Sequence, residues 1–376
     1  MSTEINHRAE FESECLTTLS LLVFSASGNG SETPVTDRIR RNEALQHVSR
    51  FTEQDREEFA HLADSHHVTV RAMRALKSVA ESANHRHLAD WAAARLLAED
   101  QRIAKAITFL DVICHGLERA GCPVTVIKSL DHWPDLGGDL DLFTSGSRYV
   151  IVDTLTRKFG ANVQPRSWGD RLGGKWNFQI PGLNELVEIH VKYLGQTGEH
   201  VSLAKRLEER RVERRIDGRV FRVPAPEERI ITAVLQRMYR HFYVRLCDIA
   251  NLAGLCRSHA VDFEELREAA DLGGIWPGVA SLLALVSEYS ANFGQDVDLP
   301  DEVRDAARIS LSRTFVRSKF LRIPIMPEAA QLYGRQLTEN AARGDLRAVT
   351  RLSLLPPLAA AALLSERITG SDKGIW

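Results

Sequence analysis

The chain has 376 residues, 44% hydrophobic and 26% charged, with a formal net charge of -2. These are the proportions of a soluble globular protein long enough for roughly two domains, and the near balance of charge excludes an overall basic footprint for nucleic acid. Five scattered cysteines, Cys15, Cys114, Cys122, Cys247 and Cys256, form no Cys-x-x-Cys pair and read as reduced, mostly buried thiols. The polar start Ser2-Thr3-Glu4 is unlike a secretory leader, and the apolar run from Leu354 to Leu364 is short and interrupted by Pro356-Pro357. A cytoplasmic protein without a membrane segment is expected.

In chain order, residues 8 to 24 read as an amphipathic helix and Ser25 to Asp37 as a Ser/Gly/Thr/Pro-rich loop. Thr52 to Ala83 reads as helical, opened by an acid-rich first turn. His87 to Gly121 reads as a long helix closed by glycine. The period then changes. Short strands are expected at Pro123–Lys128, Asp139–Phe143, Asn162–Pro165, Lys175–Ile180 and Glu185–Val191, with a helix over Ser145–Phe159. Two β runs flank Asp217-Gly218, a hairpin signal. Beyond Pro226 the pattern is mostly helical, with segments at 227–240, 244–256, 263–270, 276–293, 301–315 and 327–342. The expected class is α+β: a mixed-sheet core over 105–225, a helical region over 1–104 and a helical domain over 226–376.

The most informative segment is Gly137-Gly138-Asp139-Leu140-Asp141-Leu142-Phe143. In a strand, Asp139 and Asp141 share one face while Leu140 and Leu142 point to a core. Two carboxylates on one face repel unless a cation lies between them. Glu188, between Val187 and Ile189, would add a third from a neighbouring strand. Such a cluster suits Mg2+ or Mn2+, and paired metals stabilise in-line transfer of a phosphoryl or nucleotidyl group. Ser129 and nearby amides are placed to cradle phosphate oxygens. The plain alternatives are strand-end acids facing solvent and, for Glu188, the exposed side of a half-buried sheet. By itself Lys128 reads as a surface lysine at a strand end, and His190 as a buried structural histidine.

The spacing Ser129, nine residues, Asp139-x-Asp141 resembles the signature of the DNA polymerase beta-like nucleotidyltransferase superfamily. It is more similar to an uncharacterised bacterial nucleotidyltransferase family with a strand lysine at the first position. The matching segments are Ile127-Lys128-Ser129, Asp139-Leu140-Asp141-Leu142, Glu188-Ile189-His190, Pro224-Ala225-Pro226-Glu227-Glu228 and Arg245-Leu246-Cys247-Asp248-Ile249-Ala250, over residues 105 to 256. Two positions depart: Ser129 stands for glycine, and Gly137-Gly138 stands where many members carry arginine. The resemblance implies a metal-dependent enzyme moving a nucleoside monophosphate from an NTP such as ATP to an acceptor hydroxyl or phosphate. It implies Asp139, Asp141 and Glu188 as metal ligands, with Glu188 also a candidate general base, and Lys128, Ser129 and His190 as contacts to nucleotide or acceptor. The acceptor would be a small molecule, a peptide or tRNA, and the charge balance favours a small molecule over nucleic acid. The reading from another class is a nucleotide-binding or interaction module that keeps the fold without catalysis.

Other residues have two readings each. Trp133 and Trp168 are base-stacking candidates or packed loop aromatics. Arg166, Arg171 and Lys175 flank Gly173-Gly174 as a phosphate clamp or a solvated turn. The run Arg206, Arg210, Arg211, Arg214 and Arg215 is interleaved with Glu208, Glu209 and Glu213, which suits a solvated edge. Asp248 is expected to pair with Arg245 or another base.

Overall fold

The computed structural model describes residues 2–25, 35–317 and 319–369. Its architecture is α+β. The main sheet contains β1 (Thr125–Val126), β2 (Asp139–Thr144), β3 (Asn162–Val163), β4 (Lys175–Gln179) and β5 (Leu186–Val191), in the order β1-β2-β5-β4-β3. β2 and β5 run parallel, and the other neighbours are antiparallel. A hairpin of β6 (Arg211–Ile216) and β7 (Arg219–Pro224) follows. Its two turn residues, Asp217 (φ 47°) and Gly218 (φ 77°), both take the left-handed conformation that fits the twist of a two-residue hairpin. A small sheet of β8 (Tyr243–Val244), β9 (Phe315–Arg317) and β10 (Phe320–Arg322) lies in the order β8-β10-β9.

The alternation of the strands assigns each sheet face its chemistry. Leu140, Leu142, Val187 and Ile189 are wholly buried on one face. They pack in one apolar cluster with Ile107, Leu110 and Ile113 of the helix Arg86–Arg119 and with Ile151 and Leu155 of the helix Arg148–Phe159. Each such aliphatic side chain contributes roughly 1.5–3 kcal/mol when removed from water. On the other face, Ile127 and Phe143 join a second cluster. It unites Leu19 and Leu22 near the N-terminus with Ile230, Val234 and Leu282 from the later helices. Beside Phe143 that second face turns polar, and there Asp139, Asp141, Glu188 and His190 project.

Several expectations are corrected. The helical pattern over 52–83 is two helices, Glu53–Ser65 and Thr69–Ser82, broken at His67 (φ 51°). The break follows from buried His66, whose Nδ1 accepts from the Leu246 amide at 3.0 Å while Nε2 donates to the Lys319 carbonyl at 2.8 Å. The expected helix over 301–315 ends at Ala306, because the amides of Arg308 and Ile309 donate to the Ser281 hydroxyl at 2.9 and 3.3 Å. Of the loop expected over Ser25–Asp37, residues 26–34 lie outside the described residues, and a helix begins at Val35. Pro356 and Pro357 sit in the first turn of the helix Leu355–Thr369, where a missing N–H costs little. Among the described residues, no helix is long and apolar enough to cross a membrane.

Candidate active site

The parallel register of β2 and β5 builds the site. Asp141 pairs with Glu188 and Phe143 with His190, while Asp139 lies one step outward opposite Leu186. β4 adds Lys175 opposite His190 and Asn177 opposite Glu188. Paired residues share a face, so two carboxylates, an imidazole and an ammonium group meet on one patch. Lys128 completes it from the end of β1.

The contacts within this patch are close. Lys128 Nζ donates to Asp141 Oδ1 and lies 3.6 Å from Glu188 Oε1. Lys175 Nζ is 2.9 Å from Glu188 Oε1, and His190 Nε2 is 2.7 Å from the same oxygen and 3.6 Å from Asp141 Oδ1. Burial alone would push the Glu188 carboxyl up, but Lys175, His190 and Lys128 together hold it well below the ordinary carboxylate range. That suits holding a charge better than taking a proton. Burial pulls the Lys175 ammonium down to about 8 against the attraction of Glu188. Asp139 has the opposite character. Burial, then the charges of Asp141 and Glu188, push it up to about 6.

The loop between β1 and β2 is fixed on all sides. Lys128 takes a left-handed backbone (φ 58°) and leads into a single 3-10 turn, Ser129–His132. Arg229 ties Asp131 at 2.5 Å, and Arg71 reaches Asp135 at 2.9 Å and the carbonyls of His132 and Trp133 at 2.8 Å. Arg102, from the long helix, donates to the Leu136 carbonyl at 2.8 Å and to Gly137 at 3.3 Å, and it pairs with buried Glu185 just before β5. One guanidinium thus secures the approaches to both β2 and β5. Gly137 is required for space: a Cβ there would come within 2.6 Å of the His67 ring.

The sequence candidates separate into groups. Asp141, Glu188 and His190 offer ligand atoms within 4.8 Å of one another. Asp139 stands at the open edge, outside that convergent set; the residue as a whole reaches solvent, but its carboxyl is partly buried beside the charges of Asp141 and Glu188. Ser129 is buried and its hydroxyl is engaged by the Asp-x-Asp backbone, so it braces β2 instead of facing the cleft. Lys175, read both as the first residue of a strand and as part of the basic segment around Gly173-Gly174, opens β4 and is buried on Glu188; only the register of β4 brings it there. Trp133 packs on the apolar cluster under the sheet. Trp168 is exposed, and Arg166 stacks over Trp176 at 4.2 Å. Arg206 and Arg210 are ion-paired with Glu228, and Arg210 also with Glu227, which ties the helix Val201–Glu209 to the helix Pro226–Gln236. Asp248 pairs with buried Arg237 at 2.7 Å.

The patch fits a divalent cation on two observations. Its donor set is two carboxylates and an imidazole with ligand atoms close together, and Asp139 beside it carries a carboxyl raised by burial first and then by the like charges of Asp141 and Glu188, the part that a cation relieves. A second cluster, His132, Cys247 and Asp248, has comparable spacing but is wholly buried, and Arg237 already supplies its positive charge.

No known family profile matches the chain, and no curated relative does. Two solved structures are similar over part of it. The antibiotic-resistance factor ANT(2'')-Ia is 14% identical with a TM-score of 0.34, covering 44% of this chain and 90% of its own. An antigenic nucleotidyltransferase-like protein from Paracoccidioides brasiliensis is 15% identical with a TM-score of 0.33, covering 54% of this chain and 97% of its own.

Proposed function

We propose that this chain is a divalent-metal-dependent nucleotidyltransferase that moves a nucleoside monophosphate from an NTP to an acceptor hydroxyl or phosphate and releases pyrophosphate. The observation that carries the reading is the Asp141–Glu188 pairing in parallel strands, with Lys128, Lys175 and His190 on the same face. Asp141, Glu188 and His190 would hold Mg2+ or Mn2+, with Asp139 reaching toward it from the open edge. Bound there, the metal would neutralise charge on the phosphate oxygens and acidify the attacking hydroxyl. Lys128 would exchange its carboxylate partner for a triphosphate oxygen, and Lys175 would keep Glu188 ionised and oriented. Ser129 would hold the backbone of Asp139 and Asp141 in register. The test is pyrophosphate release from each NTP with Mg2+ or Mn2+, with a cell extract as acceptor source. Release that disappears in the double variant Asp139→Asn, Asp141→Asn supports the enzyme.

One observation favours a second reading, an NTP-binding module without turnover. Lys128 on Asp141 and Lys175 on Glu188 already balance two of the three carboxylates. Equal thermal stabilisation of wild type and double variant by NTP, with no pyrophosphate from either, selects it.

A further inference from the structure

Next to the catalytic patch lies a second chamber that the metal chemistry does not use. A cavity of about 610 Å³ is lined on its apolar side by Phe242, Ile325, Ala329, Tyr333, Leu355 and Ala359. This size suits a small molecule. Gln196, Glu199, Tyr239 and Arg240 border both this cavity and the cleft that Lys128, Lys175 and His190 line, so the two spaces adjoin.

The polar groups of the wall are unequal. Tyr333 donates to the Leu352 carbonyl at 3.1 Å, Gln336 is 3.1 Å from His200 Nε2, and Glu199 accepts from the amides of Gln196 and Thr197. Arg240 differs: it stands at the junction with no hydrogen-bond or ion-pair partner among the described residues. It lies on the π-helical turn Arg237–His241, an irregularity that often marks a functional position. Ile325, at the rim, is 63% exposed, a large apolar side chain left in water.

We infer that the cavity is the acceptor site and that the acceptor is an amphipathic small molecule. Its apolar body lies against Phe242, Ile325 and Leu355, and its hydroxylated head lies at Arg240, turned toward the carboxylate patch. The word acceptor rests on the transferase reading above; the binding of an amphiphile does not.

The test uses two probes with the same hydroxyl-bearing head, octyl β-glucoside below its micelle concentration and methyl β-glucoside, each titrated calorimetrically into the full chain. Octyl glucoside is expected to saturate one site at least ~10-fold more tightly, since its tail alone enters the cavity. Ile325→Asp, a change at an exposed position, is expected to weaken it at least ~10-fold, and Ala330→Trp, at a further residue of the cavity wall, to block it by filling the space. Thermal midpoints confirm that both variants fold. Equal binding of the two glucosides, or octyl glucoside binding that both variants leave unchanged, overturns the inference. So does a shift from dimer to monomer in Ile325→Asp without amphiphile binding, which would make this face a contact between two copies. Mg2+–ATP titration of wild type is run alongside. Its failure with amphiphile binding intact removes the transferase reading and leaves the cavity as an amphiphile site.

Discussion

The Ser129 hydroxyl accepts from the amide of Asp141 at 2.7 Å and donates to the carbonyl of Asp139 at 3.3 Å. A single buried side chain therefore spans the Asp-x-Asp strand at the point where β1 no longer pairs with it. Ser129→Ala leaves that amide without its partner and is expected to cost about 1–2 kcal/mol in urea unfolding. Mn2+ affinity, read by calorimetry, falls in the same variant because Asp141 loses its fixed backbone.

Lys128 sits on Asp141 as an internal counter-ion. On the proposed function, a divalent ion alone would have to displace it, whereas a triphosphate would offer the ammonium a new partner. Mn2+ is therefore expected to bind at least ~10-fold more tightly with a non-hydrolysable ATP analogue present, and the analogue to gain the same factor from Mn2+. In Lys128→Met the metal alone binds more tightly and the coupling shrinks toward unity. Titrations in both orders check this.

Arg102 neutralises Glu185, which is 3% exposed. Arg102→Met strands that carboxylate and frees the Leu136 and Gly137 carbonyls, with an expected loss of about 3–5 kcal/mol in chemical denaturation. Arg102→Lys recovers only part, because an ammonium group lacks the planar fork that reaches Glu99, Glu185 and both carbonyls.

His66 is buried and neutral, and burial pulls its imidazole down to about 4. In the unfolded chain it takes a proton near 6.5. Between about pH 6.5 and 4 the unfolded state thus binds more protons, so stability falls as the solution is acidified through that window and levels off below it. The contribution lost is about 3 kcal/mol at pH 4. His66→Gln, which keeps an acceptor for Leu246 and a donor for Lys319, is expected to make the acid limb shallower in thermal melts taken across the range, the remaining slope coming from His67, His132, His200 and His241, which burial also pulls down.

The strand faces were legible because a period of two survives in Leu140-Leu142 and Val187-Ile189-Val191, and the hairpin because Asp217-Gly218 demands positive φ. The carboxylates could be found for the same reason. What the sequence concealed depends on partners distant along the chain. Lys175 joins the patch only through the antiparallel register of β4 against β5. Arg240 borders the cleft from a π-helical turn, which a 3.6 period does not announce. β8, β9 and β10 have two or three residues each and carry no period to read. The helix expected over 301–315 failed where Ser281, twenty-seven residues before Arg308, captured its amides. The break at His67 has no glycine or proline to mark it, since it is set by contacts with residues 246 and 319.

Ile127 and Phe143 back the carboxylate-bearing face of the sheet onto a hydrophobic cluster shared by residues as early as Cys15 and as late as Leu332. The cluster beneath that face is consequently finished only after synthesis has passed that last leucine. A fragment spanning only 105–225 would present those two side chains to water and is expected to aggregate, however well its strands pair.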